Sequence, residues 1–158
     1  MAANPIGNGT PGVLAPPPFI YGVFLLVGLG LQCVWPVAVL PETLGYVTGG
    51  GVVAASFVLA GLGLRAFVRA RTTVNVYRSS SALIVEGPFR FSRNPLYVSL
   101  TMLYCGIALA LGNVWMLALA GLAVVVMHYG VILREERYLQ RRFGAEYERY
   151  KASVRRWL

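Results

Sequence analysis

Four stretches of this chain are almost wholly apolar, and each is close to the length that a membrane crossing requires. They run over about 19–40, 46–68, 96–111 and 114–133, against the roughly 20 residues that an α-helix needs to span a bilayer. In the first, Gln32 reads as a hydrogen-bonding partner for a neighbouring helix and Pro36 as a kink near the end of the span. The second carries Gly49-Gly50-Gly51, Ala54-Ala55 and Gly61-x-Gly63, small residues that let helices approach closely. Gly112-Asn113 leaves room only for a hairpin turn between the third and fourth spans.

The pattern changes at both ends of the chain. Residues 1–18 are rich in Pro, Gly, Asn and Ala without periodicity, and read as a flexible tail. After Leu133, Leu139, Phe143, Tyr147, Tyr150, Val154 and Trp157 recur every three or four positions, with charged residues on the other faces. This spacing predicts an amphipathic helix over 134–158, bent at Gly144, lying along the membrane surface or folding back over the bundle. The expected fold is therefore all-α: one domain over 19–158, with four transmembrane helices and a cytoplasmic C-terminal helix.

Composition supports this picture and narrows the partners. The chain is 57% hydrophobic and 13% charged, with mean hydropathy +0.63, as in a small integral membrane protein. Its net charge of +8 comes almost wholly from arginine, Lys151 being the one lysine. Those arginines gather at the ends of apolar spans, which points to membrane orientation and anionic headgroups rather than nucleic acid. The loop between the second and third spans and the C-terminal segment are basic, while Pro41–Gly45 and Gly112-Asn113 are not. The expected topology puts both termini in the cytoplasm. No basic segment precedes a short apolar run at the start, so no cleaved signal peptide is expected. Cys33 and Cys105 lie within spans as small apolar residues, without disulfide or metal-ligand spacing.

Candidate chemistry lies in two polar places. One is Gly87-Pro88-Phe89-Arg90-Phe91-Ser92-Arg93-Asn94-Pro95-Leu96-Tyr97, an island between apolar segments. Gly87-Pro88 reads as a turn. Asn94-Pro95 reads as a helix start, with Asn capping and Pro at the first helical position. A helix N-terminus beside Arg90 and Arg93 suits an anionic group. It suits equally a plain cap at the cytoplasmic boundary. The second place is Glu135-Glu136, directly below the fourth span. Adjacent carboxylates there are costly unless paired with arginines such as Arg90, Arg93 or Arg134, or used in a site. His128, the one histidine, lies seven residues before Glu135, so a regular helix would project both from one face. A hydrogen-bonded core histidine is the alternative.

In order, the chain shows Gly87-Pro88-Phe89-Arg90, Arg93-Asn94-Pro95-Leu96-Tyr97, a short two-span hairpin and Glu135-Glu136. Leu139, Phe143-Gly144, Tyr147, Tyr150 and Val154-Arg155-Arg156-Trp157 follow. From about Thr72 onward this resembles the isoprenylcysteine carboxyl methyltransferase and phospholipid methyltransferase family of membrane enzymes. The resemblance implies S-adenosylmethionine as cofactor, held by Arg93, Asn94, Pro95, Tyr97, Glu135 and Glu136. Many relatives have His-Pro where this chain has Asn94-Pro95, and Asn does not titrate near neutrality.

Methyl transfer from a sulfonium needs in-line approach and a dry site more than acid–base machinery. Arg90, Glu135 and His128 are the candidate catalytic residues. With Arg90 or Arg93 to orient it, a lipophilic carboxylate is the expected acceptor, as in isoprenylcysteine O-methylation. A phospholipid amine is the alternative, for which Glu135 or His128 would take the proton. Membrane sterol reductases share a related C-terminal pattern but bind a nicotinamide cofactor, so NADPH-dependent reduction is a further reading. A non-enzymatic scaffold has no need of two carboxylates beside such a helix start.

Overall fold

The computed structural model describes residues 12–71 and 82–158, and in them the chain is all-α. Helix α1 is Pro17–Val34 and α2 is Glu42–Arg69; a 3-10 turn at Gly87–Arg90 leads into α3, Pro95–Ala110. Helix α4, Val114–Met127, runs through a π-turn at His128–Ile132 into α5, Leu133–Phe143; α6 is Ala145–Ser153.

Among the described residues, three helical stretches are long and apolar enough to cross a membrane: Pro17–Val34, Glu42–Arg69 and Val114–Phe143. Helix α3 is apolar but has only 16 residues. At 1.5 Å per residue it is about 24 Å long, short of a hydrocarbon core of about 30 Å. The molecule is thus a multi-pass membrane bundle in which three helices, rather than the expected four, have full spanning length.

Several local expectations give way to the tertiary structure. Helix α1 stops at Val34, so Pro36 lies beyond the helix and kinks nothing. Gln32 donates from Nε2 to the Val37 carbonyl at 3.0 Å, closing its own helix end rather than reaching a neighbour. Residues 12–18 are no free tail: Val13 and Pro17 are buried and α1 already starts at Pro17. In the loop before α3, Ile84 packs with Ala66 and Phe89. The loop readings over 72–81 fall outside the described residues.

Helices α2 and α3 pack most closely, because glycine faces glycine. A Cβ on Gly49 would lie 2.4 Å from the Ala110 nitrogen and 2.5 Å from the Gly106 carbonyl oxygen. Those are backbone atoms and cannot swing aside. Gly49→Ala is expected to destabilise the bundle by about 1–3 kcal/mol, the usual cost of overpacking. Gly50→Ala, where an added Cβ meets nothing within 4 Å, is expected to leave the unfolding midpoint in detergent unchanged. Equal midpoints for the two variants would contradict this packing.

At the far end of the bundle, Asn113 is 1% exposed and caps α4, accepting from the Met116 N–H at 2.9 Å. Its Nδ2 donates to the Gly28 carbonyl, tying the hairpin to α1. The core between α1, α3 and α4 is built from Ile20, Tyr21, Tyr104, Met116, Ala123 and Met127. At the polar end Tyr21 pairs with Thr101 at 2.6 Å, fixing α1 against the first turns of α3. The chain reverses at Gly144, whose φ of 50° is a left-handed conformation that suits a residue without a Cβ. The expected bend is there. The reversal folds α6 and the last residues back over the start of α3.

Candidate active site

The C-terminal segment is stitched to the polar island by main-chain and side-chain bonds. The Arg93 N–H donates to the Arg155 carbonyl at 2.9 Å, and Tyr150 donates its hydroxyl to the Phe89 carbonyl at 2.7 Å. Asn94 does not cap α3 with its side chain. Its Nδ2 donates to the Arg156 carbonyl at 2.9 Å instead, while its own N–H donates to Ser92 Oγ at 3.1 Å. Pro95 occupies the first helical position as expected. The cap is thus exchanged for a tether, which holds the tail where the site needs it.

Glu136 is the electrostatic centre of this junction. Arg156 approaches it as a fork, from Nε to Oε1 and from Nη2 to Oε2, both at 2.8 Å. This is the strong bidentate arrangement of a guanidinium on a carboxylate. It also raises the Arg156 pKa further, chiefly through those hydrogen bonds. Arg93 Nη1 lies 3.1 Å from the same Oε1, an ion-pair distance without the alignment of a hydrogen bond. Arg93 Nε, also buried, has no hydrogen-bond partner among the described residues. The Arg93 side chain is 8% exposed and Glu136 11%, so the cluster is largely desolvated. Burial pushes the neighbouring Tyr147 phenol up to about 12; Glu136 adds to the rise and Arg93 opposes it.

Glu135 is held differently. Tyr97 donates its hydroxyl to Glu135 Oε2 at 2.8 Å, and among the described residues no ion pair is made to this carboxylate. Adjacent glutamates therefore have unlike partners: one is locked between two arginines and the other is held by a tyrosine hydroxyl.

Both glutamates line a cavity of about 610 Å³, within the usual range for small-molecule sites. Its polar part holds Arg93, Asn94, Tyr97, Glu135, Glu136 and Tyr147. Its apolar walls include Phe57 and Ala60 of α2 and Leu100 and Leu103 of α3. The structure thus gathers Arg93, Asn94, Pro95, Tyr97, Glu135 and Glu136 on one cavity.

Two sequence candidates lie elsewhere. Arg90 is exposed and forms no part of the cavity wall. His128 is half-buried and stacks edge-on against Tyr129 with ring centres 5.0 Å apart, also off the cavity. The physical reason is the π-turn at His128–Ile132. Seven residues of regular helix return to nearly the same face, but a π-turn inserts an extra residue and rotates His128 away from Glu135. Sequence reasoning also missed Arg156 as the partner of Glu136 and the prolines at positions 16–18, which line the cavity. Arg156 lies 20 residues from Glu136, and no local spacing rule reaches across the reversal at Gly144.

Among the described residues, no group of three or more His, Cys, Asp or Glu could hold a metal ion. The phospholipid methyltransferase family matches residues 44–146 of the chain. That range takes in α2 and α3, the helix carrying the glutamate pair and the reversal at Gly144. A protein of Haemophilus influenzae described only as uncharacterized is 45% identical over 67 residues, which is 40% of this chain and the whole of that relative. No solved structure matches. With its match spanning most of the sequence, the chain belongs to the phospholipid methyltransferase family of membrane methyltransferases.

Proposed function

We propose that this methyltransferase moves a methyl group from S-adenosylmethionine to the amine of a membrane lipid, with Glu135 as the proton acceptor. One observation carries the reading: Glu135 lines the cavity with a tyrosine hydroxyl as its partner and no cation paired to it among the described residues. An amine is mostly protonated near neutrality and must lose a proton before attack, and a carboxylate within reach can take it. A carboxylate acceptor would instead need a free cation. Arg90 lies off the cavity, and Arg93, drawn to Glu136 through Nη1, has a free Nε among the described residues that this reading gives to the cofactor. The preference therefore moves from the carboxylate acceptor expected from sequence to the amine.

S-adenosylmethionine supplies an activated methyl on a sulfonium. The residues present fit it. Arg93 has a buried Nε without a partner, suited to the methionyl carboxylate, and carboxylates suit an ammonium and ribose hydroxyls. The apolar walls on α2 and α3 keep water from the reacting atoms and suit a lipid chain. Arg93, Glu136 and Arg156 hold α3, α5 and the tail in one arrangement, so the site is assembled before the ligand arrives.

S-adenosylmethionine or its demethylated product is expected to raise the unfolding midpoint in detergent by mass action, and NADPH to leave it unchanged. A rise with NADPH alone would return the protein to the reductase reading. The same reading has α3 complete four crossings, with both termini on the cytoplasmic side. Cysteines introduced as Ser153→Cys and Thr43→Cys, in a chain lacking its own two, are then expected to label from opposite faces of the membrane. Labelling from the same face contradicts four crossings.

A further inference from the structure

Residues 12–16, ahead of α1, form a strap docked on the π-turn. The Leu14 N–H donates to the Gly130 carbonyl at 3.0 Å, and Arg134 Nη1 donates to the Gly12 carbonyl at 2.8 Å. Val13 between them is buried in the main core. Glycine at 130 lets Leu14 sit close, since a Cβ there would meet its side chain at 3.3–3.4 Å. The strap then delivers Pro16, Pro17 and Pro18 to the cavity wall.

The level of that wall follows from helix spacing. Tyr21, one turn beyond Pro17, bonds Thr101, one turn beyond Tyr97. Pro17 therefore lies level with Tyr97, which holds Glu135. The strap's anchor Arg134 is the residue next to Glu135. Three successive prolines have fixed φ and no N–H, so this wall is rigid and places no unsatisfied donor against an apolar cavity.

We propose that the proline wall carried by the strap sets the bulk of the acceptor's head group, admitting a small amine and disfavouring one already methylated. This rests on the amine reading above. Two further features agree with it. Glu135, held by Tyr97, lines the same cavity as the three prolines. Leu14 is 63% exposed, so its side chain can turn outward while Val13 stays in the core with Met127 and Val131.

The test compares kcat/KM for phosphatidylethanolamine and for its N,N-dimethyl form, with identical acyl chains, in wild type, Gly130→Val and Pro16→Gly. The valine branches push Leu14 off the π-turn, and glycine at 16 softens the wall. Wild type is expected to prefer the unmethylated lipid. Each variant is expected to narrow that preference by about tenfold, the scale on which a pocket discriminates a methyl-sized difference. Affinity for S-adenosylmethionine, measured by equilibrium dialysis, is expected to stay unchanged. A merely structural strap would lower turnover on both lipids alike and leave their ratio fixed; that result overturns the proposal, as does a wild type without preference. If Gly130→Val fails to purify as a single species, Pro16→Gly decides alone. Wild type that binds S-adenosylmethionine but turns over neither lipid overturns the amine reading itself, and this proposal with it.

Discussion

Glu136→Gln is expected to cause the largest loss of stability of any single change at the site. The substitution removes the one carboxylate that neutralises both Arg93 and Arg156. Arg93 would stay buried, with its charge uncompensated. Breaking a buried pair in this way costs about 3–5 kcal/mol, because the remaining charge keeps its desolvation penalty. The lower end applies here, since the Arg156 side chain is 32% exposed and water screens part of its share. Arg156→Gln is expected to cost less, as Glu136 would still face Arg93. Denaturant or thermal unfolding in detergent, read on both variants, checks the order. If Glu136→Gln proves no worse than Arg156→Gln, the cluster does not hold the tail as described. Loss of affinity for S-adenosylmethionine should accompany the loss of stability, because Glu136 and Arg93 line the cavity.

Glu135→Gln is expected to do the reverse: little change in stability and a large change in rate. Glutamine keeps an oxygen for the Tyr97 hydroxyl, and no arginine paired to Glu135 is left stranded among the described residues. What disappears is the proton acceptor. A general base contributes about 10²–10⁴-fold, and kcat/KM for an amine lipid should fall within that range. The wild-type pH profile separates an amine acceptor from a carboxylate one. For wild type, kcat/KM should rise by up to about tenfold per pH unit on the acid side, as the reactive amine is uncovered. A flat wild-type profile from about pH 6 to 8.5 would instead fit an acceptor that is already ionised, such as a carboxylate titrating near 4. A full-rate Glu135→Gln enzyme would remove Glu135 from the chemistry altogether.

The unlike behaviour of two adjacent glutamates separates what the sequence by itself determined from what tertiary structure decided. Hydropathy and helical spacing are local properties, so they were legible. They determined the all-α fold, the apolar helices, the turn at Gly112-Asn113 and the bend at Gly144. The ordered motifs from Gly87 to Trp157 likewise pointed to the family before any contact was known.

Partner choice was not legible, because it depends on how distant segments cross. Glu136 rather than Glu135 takes the arginines only because the chain reverses at Gly144 and carries Arg156 back over α5. Asn94 has the chemistry of a cap, yet the returning tail offers it the Arg156 carbonyl instead. His128 has the spacing of a site residue, yet one π-turn changes the helix phase and removes it from the cavity. The proline-rich start has the composition of a loose tail. It becomes a wall because a glycine in that same π-turn leaves room for Leu14 and a carbonyl to hold it. In each case the residue's own chemistry was readable along the chain, and its partner was set by packing between segments far apart in sequence.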